Sequence, residues 1–152
     1  MLNPPNFEHG LTITLSSLLL IYHQLFTWGP FFPWNDTEKL SRKDILLDAS
    51  INGILMGVGL YCLMKENVGF YHSFPLIYYP ILFVGECLDW WLPYFSPSFA
   101  RARKIWDYES RYSRTLKWIP HKPGSRTPDA NHTLLHVITL ATVVIVYMAR
   151  LR

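Results

Sequence analysis

The stretch ILLDASINGILMGVGLYCLM, residues 45–64, decides the class of this protein, because it is a long apolar run with a single charge, at Asp48. A helix needs about 20 predominantly apolar residues to cross the hydrocarbon core of a bilayer. The four residues from Ser41 to Asp44 have the spacing of a capping box, with Asp in place of the usual Glu or Gln. We therefore predict a membrane-spanning helix that begins near residue 45.

Three further apolar segments have a similar length, and they cover residues 11–28, 70–95 and 132–149. Asp129 or Asn131 is available to cap the last of them. Half of the residues are hydrophobic and only 16% are charged, whereas a soluble domain has about 25% charged residues. We expect one all-α integral membrane domain of residues 1–152, folded as a four-helix transmembrane bundle.

The segment Ser98–Ile119, between the third and fourth spans, is rich in basic and aromatic residues. Its apolar side chains follow helical spacing and its basic side chains lie largely elsewhere around the helix. The apolar set is Ile105, Tyr108, Tyr112, Leu116 and Ile119. This pattern predicts an amphipathic helix on the membrane surface. Nucleic-acid binding is the competing interpretation, and the tether between two spans disfavours it, so we expect no nucleic-acid partner.

The distribution of Lys and Arg predicts the orientation of the bundle. Eleven of the 14 basic residues lie in the connectors after the first and third spans. Because cytoplasmic loops carry an excess of Lys and Arg, we expect both connectors in the cytoplasm and both termini on the non-cytoplasmic side of a multi-pass protein. Cys62 and Cys87 then lie near opposite membrane faces, beyond disulfide reach, and are predicted to be free thiols.

Two carboxylates and two histidines lie inside the apolar stretches at helical spacing. Glu86 and Asp89 are separated by three residues, and His132 and His136 by four. The predicted orientation places all four near the cytoplasmic side. Ionisable side chains at membrane depth are costly and mark functional sites. We therefore predict them as the catalytic residues. A surrounding shell of polar side chains at the same depth is predicted from the first two spans: His23, Asp48 and Asn52.

Three kinds of chemistry fit this predicted layer. Mixed histidine and carboxylate ligands on facing helices suit a divalent metal such as Zn, Mn or Fe. Without a metal, the same groups form a general acid–base pair, and in a transporter they form a proton relay. Each residue also has a purely structural interpretation, for example His23 as a helix-packing residue or Asp89 as the wet edge of an aromatic interface belt with Trp90 and Trp91.

Two other features are candidates for binding. The rigid, basic loop before the fourth span contains His121, Lys122 and Arg126, which are predicted to hold an anionic headgroup; an ordinary connector is the alternative. The small residues Ala49, Gly53 and Gly57 recur every four positions. Such a row lets a neighbouring helix approach closely and is a candidate interface for a homo-oligomer.

The leading functional hypothesis is a small polytopic membrane enzyme that acts from the cytoplasmic side on a lipid-soluble or amphipathic substrate. One alternative is a proton- or ion-coupled transporter or channel subunit. Another is a non-catalytic assembly, immunity or scaffold protein. The sequence has no phosphate-binding loop, dinucleotide fingerprint, C-x-x-C or G-x-S-x-G motif, so nothing in it indicates nucleotide or serine-hydrolase chemistry.

Overall fold

Long helices make up most of the computed structural model, which describes residues 4–65, 68–96, 98–99, 111–122 and 125–151. Helix α1 covers Pro4–Trp28, α2 covers Arg42–Leu63 and α3 covers Gly69–Glu86. A π-helical turn, Cys87–Trp91, continues α3 directly into the short α4, Leu92–Phe95. The last helix, α5, covers Ala130–Arg150. A short 3₁₀ helix, Thr37–Lys39, lies in the first connector, and the described portion contains no strand.

Two of the helix starts follow from side-chain caps that were predicted from the sequence. The Ser41 hydroxyl accepts the backbone N–H of Asp44 at 3.1 Å, at the start of α2. The Asp129 carboxylate accepts the backbone N–H of His132 at 2.8 Å, at the start of α5. Each side chain satisfies a backbone donor that has no partner within its own helix. Of the two caps considered for the last helix, the structure selects Asp129.

Three helical segments are long and apolar enough to cross a membrane: Phe7–Trp28, Arg42–Leu63 and Ala130–Arg150. Helix α3 is not among them, and its 18 residues contain two prolines and three tyrosines. The protein is thus all-α in its described portion, and the three apolar helices support a multi-pass membrane protein. Many of its large apolar side chains are exposed, as expected where a protein faces lipid; Ile54, Ile81 and Val137 are examples.

The four long helices pack in a ring. Helix α1 lies against α2 and α5, and α3 lies against the same two helices from the other side. A buried apolar cluster fills the centre of the ring: Leu19, Met56, Leu63, Tyr78, Tyr79, Ile138 and Val146. Helices α1 and α4 end, and α2 and α5 begin, at the same end of the ring. This end, which we call the connector end, carries the first connector, residues 29–41 between α1 and α2, and the described parts of the second connector, residues 96–129 between α4 and α5.

Two of the three small residues on α2, Ala49 and Gly53, contact α1 of the same chain. Ala49 is buried, and the side chain of Gln24 on α1 donates a hydrogen bond to the carbonyl of Ala49 at 3.0 Å. A Cβ atom on Gly53 would come within 2.7 Å of the Gln24 amide nitrogen, whereas one on Gly57 would meet nothing within 4 Å. The close approach of α1 and α2 thus depends on the first two residues. An interface between copies of the chain stays a prediction.

The predicted surface helix, residues 98–119, can be compared with the structure only in part, because residues 100–110 lie outside the described portion. Helical structure is present at residues 111–112, but residues 113–119 form turns and irregular chain. The prediction of a helix as far as Ile119 is therefore wrong for that part. The backbone of Leu116 instead accepts the N–H of Ala130 and donates to Pro33 O, each at 2.7 Å. These bonds tie the two connectors together and replace the helical pattern.

The cysteine prediction is confirmed. Cys62 and Cys87 are both free thiols. Cys62 is buried near the end of α2 that lies opposite the connector end, and Cys87 begins the π-helical turn after α3.

Candidate functional site

A cavity of about 680 Å³ lies at the connector end, with walls from all four long helices, the π-helical turn and both connectors. Its volume is in the range of ~300–1,000 Å³ that is usual for small-molecule pockets. Eight of the residues predicted from the sequence line it: His23, Asp48, Asn52, Glu86, Asp89, Arg126, His132 and His136. The structure thus brings the predicted polar layer into one space. The chemical roles of these residues stay predictions.

The partner of His132 is Asp129, a residue that the sequence indicated only as a helix cap. Asp129 is fully buried, and its Oδ1 lies 2.7 Å from Nδ1 of His132. The other carboxylate oxygen accepts the hydroxyl of Thr115 at 3.0 Å. One carboxylate therefore caps α5, orients an imidazole and anchors the second connector. A carboxylate that holds Nδ1 leaves Nε2 of His132 as the nitrogen available for chemistry.

The electrostatics of Asp129 favour its ionised form. Burial by itself raises the pKa of a carboxyl group, but the charge of His132 and the hydrogen bonds from His132 and Thr115 outweigh that effect. The pKa of Asp129 is consequently held below its ordinary value of 3.8. Near neutral pH the pair therefore consists of a buried carboxylate and the imidazole that it fixes in place.

Aromatic rings fix the other face of His132. The ring of Trp90 stacks on the imidazole with centroids 3.8 Å apart, and Tyr112 meets it edge-on at 5.3 Å. Burial raises the pKa of Tyr112 to about 12, and Asp129 adds to the effect, so its phenol stays a neutral hydrogen-bond donor. Stacked and edge-on contacts restrict rotation of the imidazole and keep its geometry defined.

His136 and Glu86 each have a partner of their own. The indole N–H of Trp91 donates to Nδ1 of His136 at 2.9 Å. Because an indole can only donate, this bond places the proton of a neutral His136 on Nε2. The hydroxyl of Thr139 lies 2.8 Å from Oε1 of Glu86 and 3.0 Å from the carbonyl of Leu135. The second oxygen of Glu86, Oε2, is buried with no hydrogen-bond partner among the described residues.

Asp48 forms the centre of a small network between α1 and α2. Its Oδ1 accepts the amide of Asn52 at 2.7 Å. Its Oδ2 accepts the hydroxyl of Thr27 at 3.3 Å and lies 3.6 Å from Nε2 of His23. His23, Asp48 and Asn52 therefore lie together where α1 and α2 line the cavity.

Of the three residues of the predicted anionic headgroup site, only one lines the cavity. His121 lies 3.1 Å from the hydroxyl of Thr127 through Nδ1, and the ammonium of Lys122 lies over the ring of Tyr94 at 4.3 Å. Neither of these two residues lines the cavity. Arg126 does line it and is buried, and it has interaction partners of its own. An anionic headgroup site at these three residues stays a prediction.

The predicted metal site has no support. Among the described residues, no group of three or more His, Cys, Asp or Glu side chains is arranged to hold a metal ion. The hydrogen bond from Trp91 to Nδ1 leaves the proton of a neutral His136 on Nε2, so this imidazole has no free lone pair for a metal. The bond from Asp129 to Nδ1 of His132 has no such effect, because it leaves Nε2 available. Glu86, Asp89, His132 and His136 thus line one cavity without forming a metal cluster among the described residues.

Sequence reasoning missed Asp129 and Tyr112 as parts of the site. The signal for Asp129 was present, since a cap residue three positions before a histidine on the same helix turn places a carboxylate beside the imidazole. Tyr112 could not have been found in this way, because the path of the second connector brings it to His132.

No known protein family matches the chain, and no curated protein or solved structure is detectably similar to it.

Proposed function

We propose that the chain forms a four-span bundle in which α3, the π-helical turn and α4 together make the third span. These 27 residues, from Gly69 to Phe95, have a helical length of about 40 Å, enough to cross a bilayer when tilted. The excess of Lys and Arg in the connectors supports a cytoplasmic connector end, with both termini outside. The cavity then opens at the cytoplasmic side of the membrane.

We infer that the protein is a small membrane enzyme that performs acid–base chemistry on a lipid-soluble or amphipathic substrate. The observation that carries this proposal is that His132, oriented by a carboxylate, and the carboxyl-bearing Glu86 line the same cavity. General acid–base catalysis requires such a pair within reach of one substrate. His132 accepts a proton from the substrate through Nε2, and Asp129 positions the imidazole. Glu86 acts as the general acid that donates a proton to the substrate.

The contacts of Thr139 support a protonated Glu86. A hydroxyl group has one proton, yet Thr139 lies within hydrogen-bond distance of both Leu135 O and Glu86 Oε1. If Thr139 donates to the carbonyl of its own helix, then the carboxyl group of Glu86 supplies the proton for the second bond. A neutral carboxylic acid in this position is a suitable general acid.

Exposed apolar side chains support access from the bilayer. Leu47 and Ile51 of α2 and Ile81 of α3 line the cavity, and each is about half exposed or more on the bundle surface. At the opposite end, α2 and α3 are in contact, since the rings of Tyr61 and Tyr71 meet with centroids 6.2 Å apart. We infer that a lipid enters sideways between α2 and α3 near the connector end.

The packing favours an enzyme over the alternative of a transporter. A transport path must reach both sides of the membrane, and the described half of the bundle away from the connectors is filled by buried Leu19, Leu63, Tyr79 and Val146. A non-catalytic scaffold, the remaining alternative, has no need of a cavity in which titratable groups converge. Buried polar groups are costly where no function requires them.

The test is turnover of lipids by the purified protein in nanodiscs that contain a membrane lipid extract. Lipid species are profiled by mass spectrometry before and after incubation. The wild-type protein should consume at least one species, and His132→Gln and Glu86→Gln should each abolish its consumption. His72→Gln is the matched control, because His72 lies outside the cavity and its loss should leave turnover unchanged. Identical lipid profiles for folded wild-type and His132→Gln proteins would refute the enzyme proposal.

A further inference from the structure

Two imidazoles of α5 line the cavity from adjacent helical turns, and each is held by the protein through its Nδ1 atom. The ring centres of His132 and His136 are 6.2 Å apart. Nδ1 of His132 is bonded to Asp129, and Nδ1 of His136 accepts the indole N–H of Trp91. Neither Nε2 atom has a hydrogen-bond partner among the described residues, and neither is enclosed by the protein as Oε2 of Glu86 is. The two Nε2 atoms are therefore free to meet a ligand.

The two Nε2 atoms differ in whether they carry a proton. An indole can only donate a hydrogen bond, so Nδ1 of His136 is unprotonated and the proton of this neutral imidazole lies on Nε2. A carboxylate can only accept, so Asp129 holds a proton of His132 on Nδ1 and leaves Nε2 of the neutral imidazole as an acceptor. The cavity wall thus presents a proton acceptor at His132 and a hydrogen-bond donor at His136.

The π-helical turn after α3 fixes both imidazoles through two consecutive tryptophans. Trp90 stacks on His132 with centroids 3.8 Å apart. The next residue, Trp91, holds His136 with its 2.9 Å hydrogen bond and meets that ring edge-on at 6.1 Å. His136 is also buried, so its imidazole has little room to rotate. A donor that is fixed before the reaction begins can stabilise developing charge without reorganisation.

We propose that His136 is a catalytic residue, which donates its Nε2–H to the substrate oxygen that becomes negatively charged when His132 removes a proton. The inference rests on the proposed enzyme function and names the substrate class, a lipid whose reacting group is a carbonyl or a hydroxyl. Both groups bring an oxygen that accepts a hydrogen bond, as the fixed donor requires. The role of His136 is thereby distinct from the roles of the base His132 and the acid Glu86.

The proton and electron balance is the same for both substrate groups. In a hydroxyl substrate the O–H bond breaks, the proton moves to Nε2 of His132, and the electron pair stays on the oxygen. In a carbonyl substrate the adjacent C–H bond breaks, its electron pair forms a carbon–carbon double bond, and the carbonyl oxygen gains the charge. Glu86 then donates a proton to the substrate, and proton exchange with water restores both residues. No oxidant or reductant is required.

The proton position on His136 can be measured without any turnover. Full-length protein labelled with nitrogen-15 histidine is studied by NMR in detergent micelles near neutral pH, and His136→Gln identifies the signals of His136. We expect a protonated Nε2 and an unprotonated Nδ1. Trp91→Phe should remove this preference, whereas Trp28→Phe should leave it unchanged, because the indole of Trp28 donates to Gln24 outside the cavity. A protonated Nδ1 on His136 in the wild-type protein would overturn the proposal.

Matched probes test whether this donor meets an oxygen of a ligand. The labelled protein is titrated with 2-heptadecanone, 2-heptadecanol and heptadecane, which have the same chain length and differ only in the oxygen. A hydrogen bond from Nε2–H to oxygen moves the Nε2 signal of His136 to higher frequency. We expect this movement with the ketone or the alcohol but not with the alkane, and the probe that causes it identifies the reacting group. No movement with either oxygen probe, or equal movement with the alkane, would contradict the proposal.

Turnover in nanodiscs then separates this inference from the enzyme proposal. His136→Leu should lower kcat about 100-fold, whereas His136→Gln keeps an N–H donor and should retain a larger share of the rate. Trp91→Phe should lower kcat more than it changes KM, since the donor acts when charge develops. If the lipid is consumed and His136→Leu turns over at the wild-type rate, the enzyme proposal stands and the present inference fails. If the probes move the His136 signal but no lipid is consumed, the enzyme proposal fails and His136 is a ligand-binding group only.

Discussion

Replacement of Asp129 should be the most destabilising single change at the connector end. Its side chain accepts three hydrogen bonds while fully buried. They come from the backbone N–H of His132 at 2.8 Å, from Nδ1 of His132 at 2.7 Å and from Thr115 at 3.0 Å. Asp129→Ala removes both carboxylate oxygens and leaves the three donors without their acceptors.

The magnitude follows from the three contacts. Loss of an N-cap costs about 1 kcal/mol, and a hydrogen bond to a charged group contributes about 1.5–3 kcal/mol. The bond from the Thr115 hydroxyl adds about 1 kcal/mol. We therefore expect Asp129→Ala to lower the free energy of unfolding by about 3–5 kcal/mol, as is usual when one partner of a buried pair is removed. Asp129→Asn keeps an acceptor for the cap and should cost about half as much.

The assay is reversible unfolding in mixed detergent micelles, followed by circular dichroism. Ser41→Ala is the matched control, since Ser41 also caps a spanning helix but is exposed and makes a single cap bond. It should cost about 1 kcal/mol. If Asp129→Ala costs no more than Ser41→Ala, Asp129 acts only as a cap, and the inference that it positions His132 loses its basis.

Three other predictions concern packing, orientation and pH. Gly59→Ala should lower stability by about 1–3 kcal/mol, because its Cβ would lie 2.9 Å from the hydroxyl of a fully buried tyrosine, whereas Gly57→Ala meets nothing within 4 Å and should be neutral or stabilising. Cysteines placed at the exposed positions Glu38 and Lys65 should react with a membrane-impermeant reagent from the cytoplasmic and the external side, respectively, and the reverse labelling would invert the proposed topology. Because its pKa in the folded protein lies below 3.8, Asp129 should contribute stability above that pH and lose it as the pH falls further. Acid unfolding curves that do not differ between wild type and Asp129→Asn would contradict this.

The helices and the polar layer could be predicted because both depend on local sequence. Apolar runs fix the spans, and Ser41 and Asp129 fix two of the helix starts through bonds only three residues long. The spacing of His132 and His136 places them on one face of α5 whatever surrounds them. The depth of Glu86 follows from its distance to the end of its span, so its convergence with the histidines at one end of the bundle was also predictable.

The pairing of these side chains could not be predicted, because it depends on helix rotation and on the paths of the connectors. Glu86 was predicted to act with the two histidines as a metal ligand or acid–base partner, but in the structure its hydrogen-bond partner is Thr139. His136 is bonded to Trp91, which the π-helical turn after α3 turns towards it. Such turns are frequent at functional sites, but the sequence CLDWW gives no local sign of one.

Tyr78, Glu86 and Asn131 line the cavity, and each has a buried polar atom with no hydrogen-bond partner among the described residues. A bundle that only had to span the membrane would gain stability from apolar side chains at these positions, since each buried polar atom without a partner costs about 1–3 kcal/mol. Tyr78→Phe removes one such atom and should therefore raise the melting temperature of the protein in detergent. A melting temperature below that of the wild type would mean that the hydroxyl of Tyr78 stabilises the fold, and the cost assigned to it here would be wrong.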